Sequence, residues 1–247
     1  METTVAPLTP IAPDGTPAGR AGLASSTVAM LLADARLPTG GHAHSAGVEP
    51  ALLGGMPASD VRALIRGRAL TSSLVDAGTA VVARHLLAVD GQIEGVVAAW
   101  AARTPSAALR EASRLLGRGY LRLARHAWDG HPAIVRCAAV DAAPGPSLPR
   151  PVVLGAIACA AGLDAADLAR LAIYDDAQSA AAALLKLEPT DPVVPVAWVL
   201  DACAAAEPHI AELARLTDPA GIPSDGAPQS EEWAEAHSRL TRRLFRA

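Results

Sequence analysis

Residues 31–49, LLADARLPTGGHAHSAGVE, put a helix end, a glycine turn and a crowded polar run side by side. Leu31, Leu32, Ala35 and Arg36 continue an apolar-rich run that begins near Ala24. Pro38 stops that helix, because its ring disfavours the α conformation at Leu37. Thr39 then offers a hydroxyl to free backbone N–H groups, and Gly40-Gly41 are free to take positive φ. His42, His44, Ser45, Gly47 and Glu49 follow, more polar side chains than packing alone requires.

Working outward, residues 1–22 hold four prolines and three glycines with no apolar period, which predicts a disordered arm. Apolar spacing and stop signals predict helices over 25–36, 42–53, from Ser59 or Asp60 to Ala69, 72–89, 93–102, 104–128 and 131–140. Further helices are expected over 152–161, 165–187 and 196–206, with a kink or restart at Pro208 running to 216, and a last one over 230–245. Residues 218–229 read as a flexible loop. No segment has strand alternation, so the expectation is all-α: one domain over 23–247, a bundle of about ten helices, behind a loose arm.

Composition agrees. The chain is 51% hydrophobic but only 3% aromatic, and an Ala/Leu-rich core suits closely packed helices. At 247 residues it can bury a full core. The net charge of −4 gives no bulk attraction to nucleic acid or to an anionic membrane. Cys137, Cys159 and Cys203 are far apart, odd in number and without a C-x-x-C, which fits inert buried thiols in a reducing cytosol. The run 152–163 makes a helix of only about 18 Å against a bilayer core of about 30 Å, and 193–206 is broken by Pro195 and Asp201. A soluble, cytoplasmic protein is expected.

Chemistry is sparse. His42 and His44 invite a metal reading, but i and i+2 on a helix project about 200° apart and cannot share an ion unless the turn extends that far. The plain alternative is one buried and one exposed imidazole. Ser45 has Ala43, not glycine, two residues before it and no preceding strand, so it is no nucleophile elbow. Asp175-Asp176 reads as a solvated face. Nothing assembles acid, base and oxyanion donor, and no cofactor or metal site is expected. Gly117 and Gly119, each costing about 1 kcal/mol in a helix, point either to close approach by another helix or to tolerance.

In the C-terminal stretch EEWAEAHSRLTRRLFRA, Trp233, His237, Leu240 and Leu244 recur at 4, 3 and 4, a narrow seam suited to docking on a helix. Glu231 and Glu232 open it and Arg242, Arg243 and Arg246 close it, matching the helix dipole at both ends. A terminal helix on its own core and a loosely tethered partner-binding tail are equally open readings.

These motifs carry a resemblance. LPTGGHAHSAGVE is similar to the N-terminal signature of the UreF family, matching at Pro38, Gly40, His44, Ser45, Gly47 and Glu49, with His42 where an aromatic usually stands. REASRLLGRGYLRLA (110–124), PVVLGAIACAAGL (151–163), the helix with Tyr174, and SRLTRRLFRA resemble further family segments. Pro149-Arg150 stands where a histidine usually precedes P-V-V. The resemblance implies a UreF-like, dimeric, all-α, non-enzymatic adaptor in nickel loading of urease. Its implied partners are a UreD/UreH-type accessory protein, the GTPase UreG and apo-urease. Expected partner-binding residues are His44, Ser45, Gly47 and Glu49 in the turn, Gly117 and Arg118 in the long helix, and Arg242, Arg243, Leu244, Phe245 and Arg246 in the tail. The rival from another class is a metal-dependent hydrolase using His42, His44 and Glu49 with a distant carboxylate.

Overall fold

The computed structural model describes residues 23–241 and 243–245. The expected arm over 1–22 lies outside them, as do Arg242 and Arg246. Among the described residues eleven α-helices form: α1 (Ser25–Leu32), α2 (Val48–Leu53), α3 (Val61–Ala69), α4 (Ser72–Ala88), α5 (Glu94–Ala102), α6 (Ala107–Ala127), α7 (Pro132–Ala142), α8 (Arg150–Ala161), α9 (Ala165–Leu187), α10 (Val193–Leu213) and α11 (Pro228–Ser238). No strand occurs among the described residues. The all-α expectation holds.

At the centre is α4. Val75, Ala77, Ala80, Val81, Val82 and Ala83 are at most 2% exposed, so this helix is buried nearly all round. It packs chiefly on α8 and α9, themselves rich in alanine. Small side chains bring the backbones close: a Cβ on Gly155 of α8 would sit 2.5 Å from the Ala80 carbonyl oxygen. Helices α3 and α10 pack on α9, α6 and α7 on α8, and α11 on α6 and α2. Among the described residues α10 alone is long and apolar enough to cross a membrane by length and composition. It packs against α9, α3 and α4.

Local chemistry sets the helix ends. Ser106 caps α6 by accepting Leu109 N–H, so that helix starts after the expected Thr104-Pro105. His131 Nδ1 accepts Ala133 N–H ahead of Pro132 at the start of α7, and Asp164 caps α9 through Asp167 N–H. Helix α1 stops four residues short of Arg36. There the Asp34 carboxylate accepts from the Arg36 backbone at 2.9 Å and from its guanidinium, offering the chain a local alternative to another helical turn.

Three other expectations fail for physical reasons. The expected helix over 42–53 is broken, because Ala46 and Gly47 take φ of 47° and 85°. Pro208 opens no new helix, and α10 runs through it to Leu213. Pro208 and Ala204, whose carbonyl would have received the missing N–H, both face solvent, where water can serve that carbonyl. The loop 218–229 is anchored: Arg103 donates to the carbonyls of Ile222 and Ala220, and Ile222 is buried. The three cysteines are free, but only Cys137 is buried, which pushes its thiol up to about 12. Cys159 and Cys203 are half-buried.

Candidate functional site

The turn 38–49 lies hard against α6. A short 3-10 turn, Gly41–Ala43, follows Gly40 at φ 92°, and His44 is extended. A side chain on Gly119 would collide with the backbone of Thr39, and one on Gly117 with the backbone at Leu148, Pro149 and Arg150. Gly119 therefore marks close approach to irregular backbone, and Gly117 close approach to the start of α8, whose N-cap is Pro149 and first residue Arg150. Tyr120 is 4% exposed and hydrogen-bonded to Thr39, and burial drives its hydroxyl upward in pKa.

Ser45 is fully buried and Glu49 is 5% exposed. Glu49 Oε1 accepts Leu244 N–H at 2.6 Å, and Oε2 accepts Phe245 N–H at 2.8 Å. His237 Nε2 lies 2.9 Å from the same Oε2, with its ring almost fully enclosed. One carboxylate thus ties the signature turn to α11 and to the tail. Lys186 on α9 reinforces the tie: its Nζ donates to the His42 carbonyl at 3.1 Å and stands 5.3 Å from the centre of the Phe245 ring.

The tail is consequently not a helix to Phe245 on a loose tether. Helix α11 ends at Ser238, and the backbone beyond it is drawn onto Glu49 instead of continuing its own ladder. His237 is 2% exposed, whereas Leu240 and Leu244 are 44% and 64% exposed, so the 4, 3, 4 seam divides between core and solvent; Phe245, outside the seam, is 3% exposed. The last turn of α11 is also fixed to the start of α6 by Glu235, which accepts from Ser106 Oγ and Ala108 N–H; those donors hold its carboxyl below the ordinary value.

Beside this turn lies a buried ionic cluster that the sequence reading missed. Asp176 does not face solvent: it is 7% exposed and takes a forked contact from Arg68 at 2.7 and 3.0 Å, plus Ser73 Oγ at 2.9 Å. Arg150 reaches Asp175 at 2.7 Å and Asp76 at 3.4 Å, and Trp100 Nε1 donates to Asp76. Burial raises Asp76 and Asp175 above the usual carboxylate range despite Arg150. For Asp176 burial pulls the same way, but Arg68 overcomes it and holds the carboxyl at about 2. Asp76 in an apolar helix and Asp175-Asp176 in another were the available signal, since such carboxylates need cationic partners.

The two assemblies adjoin. Arg68 Nη1 lies 3.7 Å from where a Cβ on Gly47 would be. His44 lines both a cavity of about 70 Å³ with Arg68, Arg150 and Asp176 and one of about 160 Å³ with Tyr120, Asp175 and Phe245. His42 is exposed and His44 half-buried. Among the described residues no three His, Cys, Asp or Glu side chains gather to hold a metal ion. Glu49, the third residue of the hydrolase rival, is already occupied by two backbone donors and His237. Gly117 is buried beneath the 148–150 backbone, while Arg118 and Arg243 are exposed.

A family model described as UreF matches residues 57–214, which span α3 to α10. It begins after the signature turn and ends before α11. The urease accessory protein UreF of Mycobacterium marinum is 40% identical over 204 residues, covering 78% of this chain and 90% of its own. That of Mycobacterium sp. strain JLS is 34% identical over 234 residues, covering 89% and 97%. That of Mycobacterium tuberculosis H37Rv is 35% identical over 204 residues, covering 80% and 91%.

Proposed function

Because this chain belongs to the UreF family of urease accessory proteins, an accessory rather than a catalytic family that serves urease maturation, we propose that it is the adaptor of nickel insertion. In this reading it bridges a UreD/UreH-type accessory protein and the GTPase UreG and delivers them to apo-urease, acting as a homodimer in the cytoplasm. The docking residues are those of the turn, His44, Ser45, Gly47 and Glu49, together with Leu244, Phe245 and the tail arginines Arg242, Arg243 and Arg246. Gly117 serves by letting the 148–150 backbone close over α6, and Arg118 by offering a cation beside it.

The observation that carries this reading is the Glu49 contact. Two segments almost two hundred residues apart in sequence meet at one carboxylate, so a partner that grips the exposed Leu240, Arg243 and Leu244 also senses the turn. Backbone N–H donors make that contact, and they are indifferent to side-chain identity. A segment held this way can be taken up by a partner without unfolding the body.

Truncation after Arg239 tests the proposal. Loss of buried Phe245 costs about 1.5–3 kcal/mol, a fall in Tm of about 5–10 °C in a chain this long. The truncated chain stays helical, and co-elution with the accessory partner and the GTPase fails. A folded truncation that still forms the complex and activates urease removes the tail from the proposed surface.

A further inference from the structure

A separate groove of about 830 Å³ opens along the C-terminal half of α6, lined by Pro38, Arg118, Leu121, Arg122 and Arg125, and also by Asp129 and by Asp141, whose carboxylate already accepts Leu148 N–H. The three arginines recur at 4 and 3, one above another on a single helix face spanning about 10 Å. All three are exposed. Arg118 comes within 3.8 Å of Glu111 and 3.4 Å of Ser147 Oγ. Arg122 and Arg125 make no ion pair or side-chain hydrogen bond among the described residues. Like charges at this spacing oppose helix formation, and the helix dipole offsets that only in the last turn, where Arg125 stands. Neither Arg118 nor Arg122 has that compensation.

We propose that this groove binds an acidic segment of a partner protein. Guanidinium forks match carboxylates two-pronged, and Leu121 and Pro38 supply an apolar floor for the same segment. Single-stranded nucleic acid fits poorly: no Phe, Tyr or Trp lines the groove for base stacking, and three cations over about 10 Å track little of a phosphate backbone. The inference goes beyond the adaptor reading, and its test involves neither urease nor any accessory protein.

The test is fluorescence anisotropy of the full chain at low salt with a labelled peptide of glutamate and leucine. Controls are the same peptide with glutamine for glutamate, and labelled oligothymidylate. The expected result is binding of the glutamate peptide alone, weakened about tenfold by R122Q/R125Q with an unchanged melting curve and abolished by R122E/R125E. Should a double variant misfold, R118Q read at the same helicity decides by the same criterion. Binding unaffected by these changes, no binding of the glutamate peptide, or oligothymidylate bound as tightly would each overturn the proposal.

Discussion

Two buried carboxylates a short distance apart in this fold are held in opposite ways. Asp176 is met by a guanidinium, Arg68, from a rigid helix, with Ser73 as a third donor. Glu49 is met by an imidazole and by two backbone amides of irregular chain. The first arrangement links α3, α4 and α9, so breaking it strands a charge among packed helices. The second links a turn to a tail, and opening it can admit water without disturbing α4, α8 or α9. The same chemical group is a staple of the fold in one place and a latch in the other, the difference lying in what carries the donors.

The largest effect is expected at the staple. Arg68→Met leaves Asp176 buried and unpaired, a loss of about 3–5 kcal/mol and a fall in Tm of about 10 °C or more by calorimetry. Adding Asp176→Leu to that variant should restore most of the loss, since an apolar pair of similar volume needs no desolvation. Failure of the double variant to recover would contradict the assignment of the cost to a stranded charge.

Next comes Gly119→Ala. Its methyl group would meet the Thr39 backbone, and the overpacking costs about 1–3 kcal/mol. Here the disturbance falls on the turn, so amide exchange should rise around residues 39–45 and not in α4. Uniform exchange would show that the turn is no separate unit.

Acid should also probe the ionic cluster. The Asp176 carboxyl is lowered to about 2, so its stabilisation is complete above the ordinary carboxylate range and is lost as pH falls through about 2. Asp76 and Asp175 are raised and work in the opposite sense, their ionised forms lowering stability as pH rises through their titration. Denaturant titrations from pH 5 to 2 should show a decline that Asp176→Asn reduces.

The smallest effect on stability belongs to Glu49→Gln. An amide keeps one acceptor oxygen but turns an N–H₂ toward donors, costing about 1–2 kcal/mol, confined to the clasp. Far-UV circular dichroism should be unchanged.

How much of this was readable beforehand follows from where the information sits. Helices α4, α8 and α9 announce themselves, since apolar residues at 3 and 4 spacing with Asp164 and Gly162 as punctuation leave little choice. The glycines at 117 and 119 flagged a close approach, but not its partner, because Thr39 and Leu148 are distant in sequence and contribute backbone. Asp176 was misread as solvated since its neutralising arginine lies 108 positions away. The tail was misread as helix because Trp233, His237, Leu240 and Leu244 keep a helical period. What ends α11 is a competing acceptor at Glu49, and no local pattern displays that.

The most direct test of the account is co-elution of full-length Glu49→Gln with the UreD/UreH-type partner and the GTPase on a sizing column, beside wild type. If the latch presents the docking surface, the variant keeps its helicity and loses the complex. A folded Glu49→Gln chain that assembles as wild type does would contradict the claim that turn and tail act through this carboxylate.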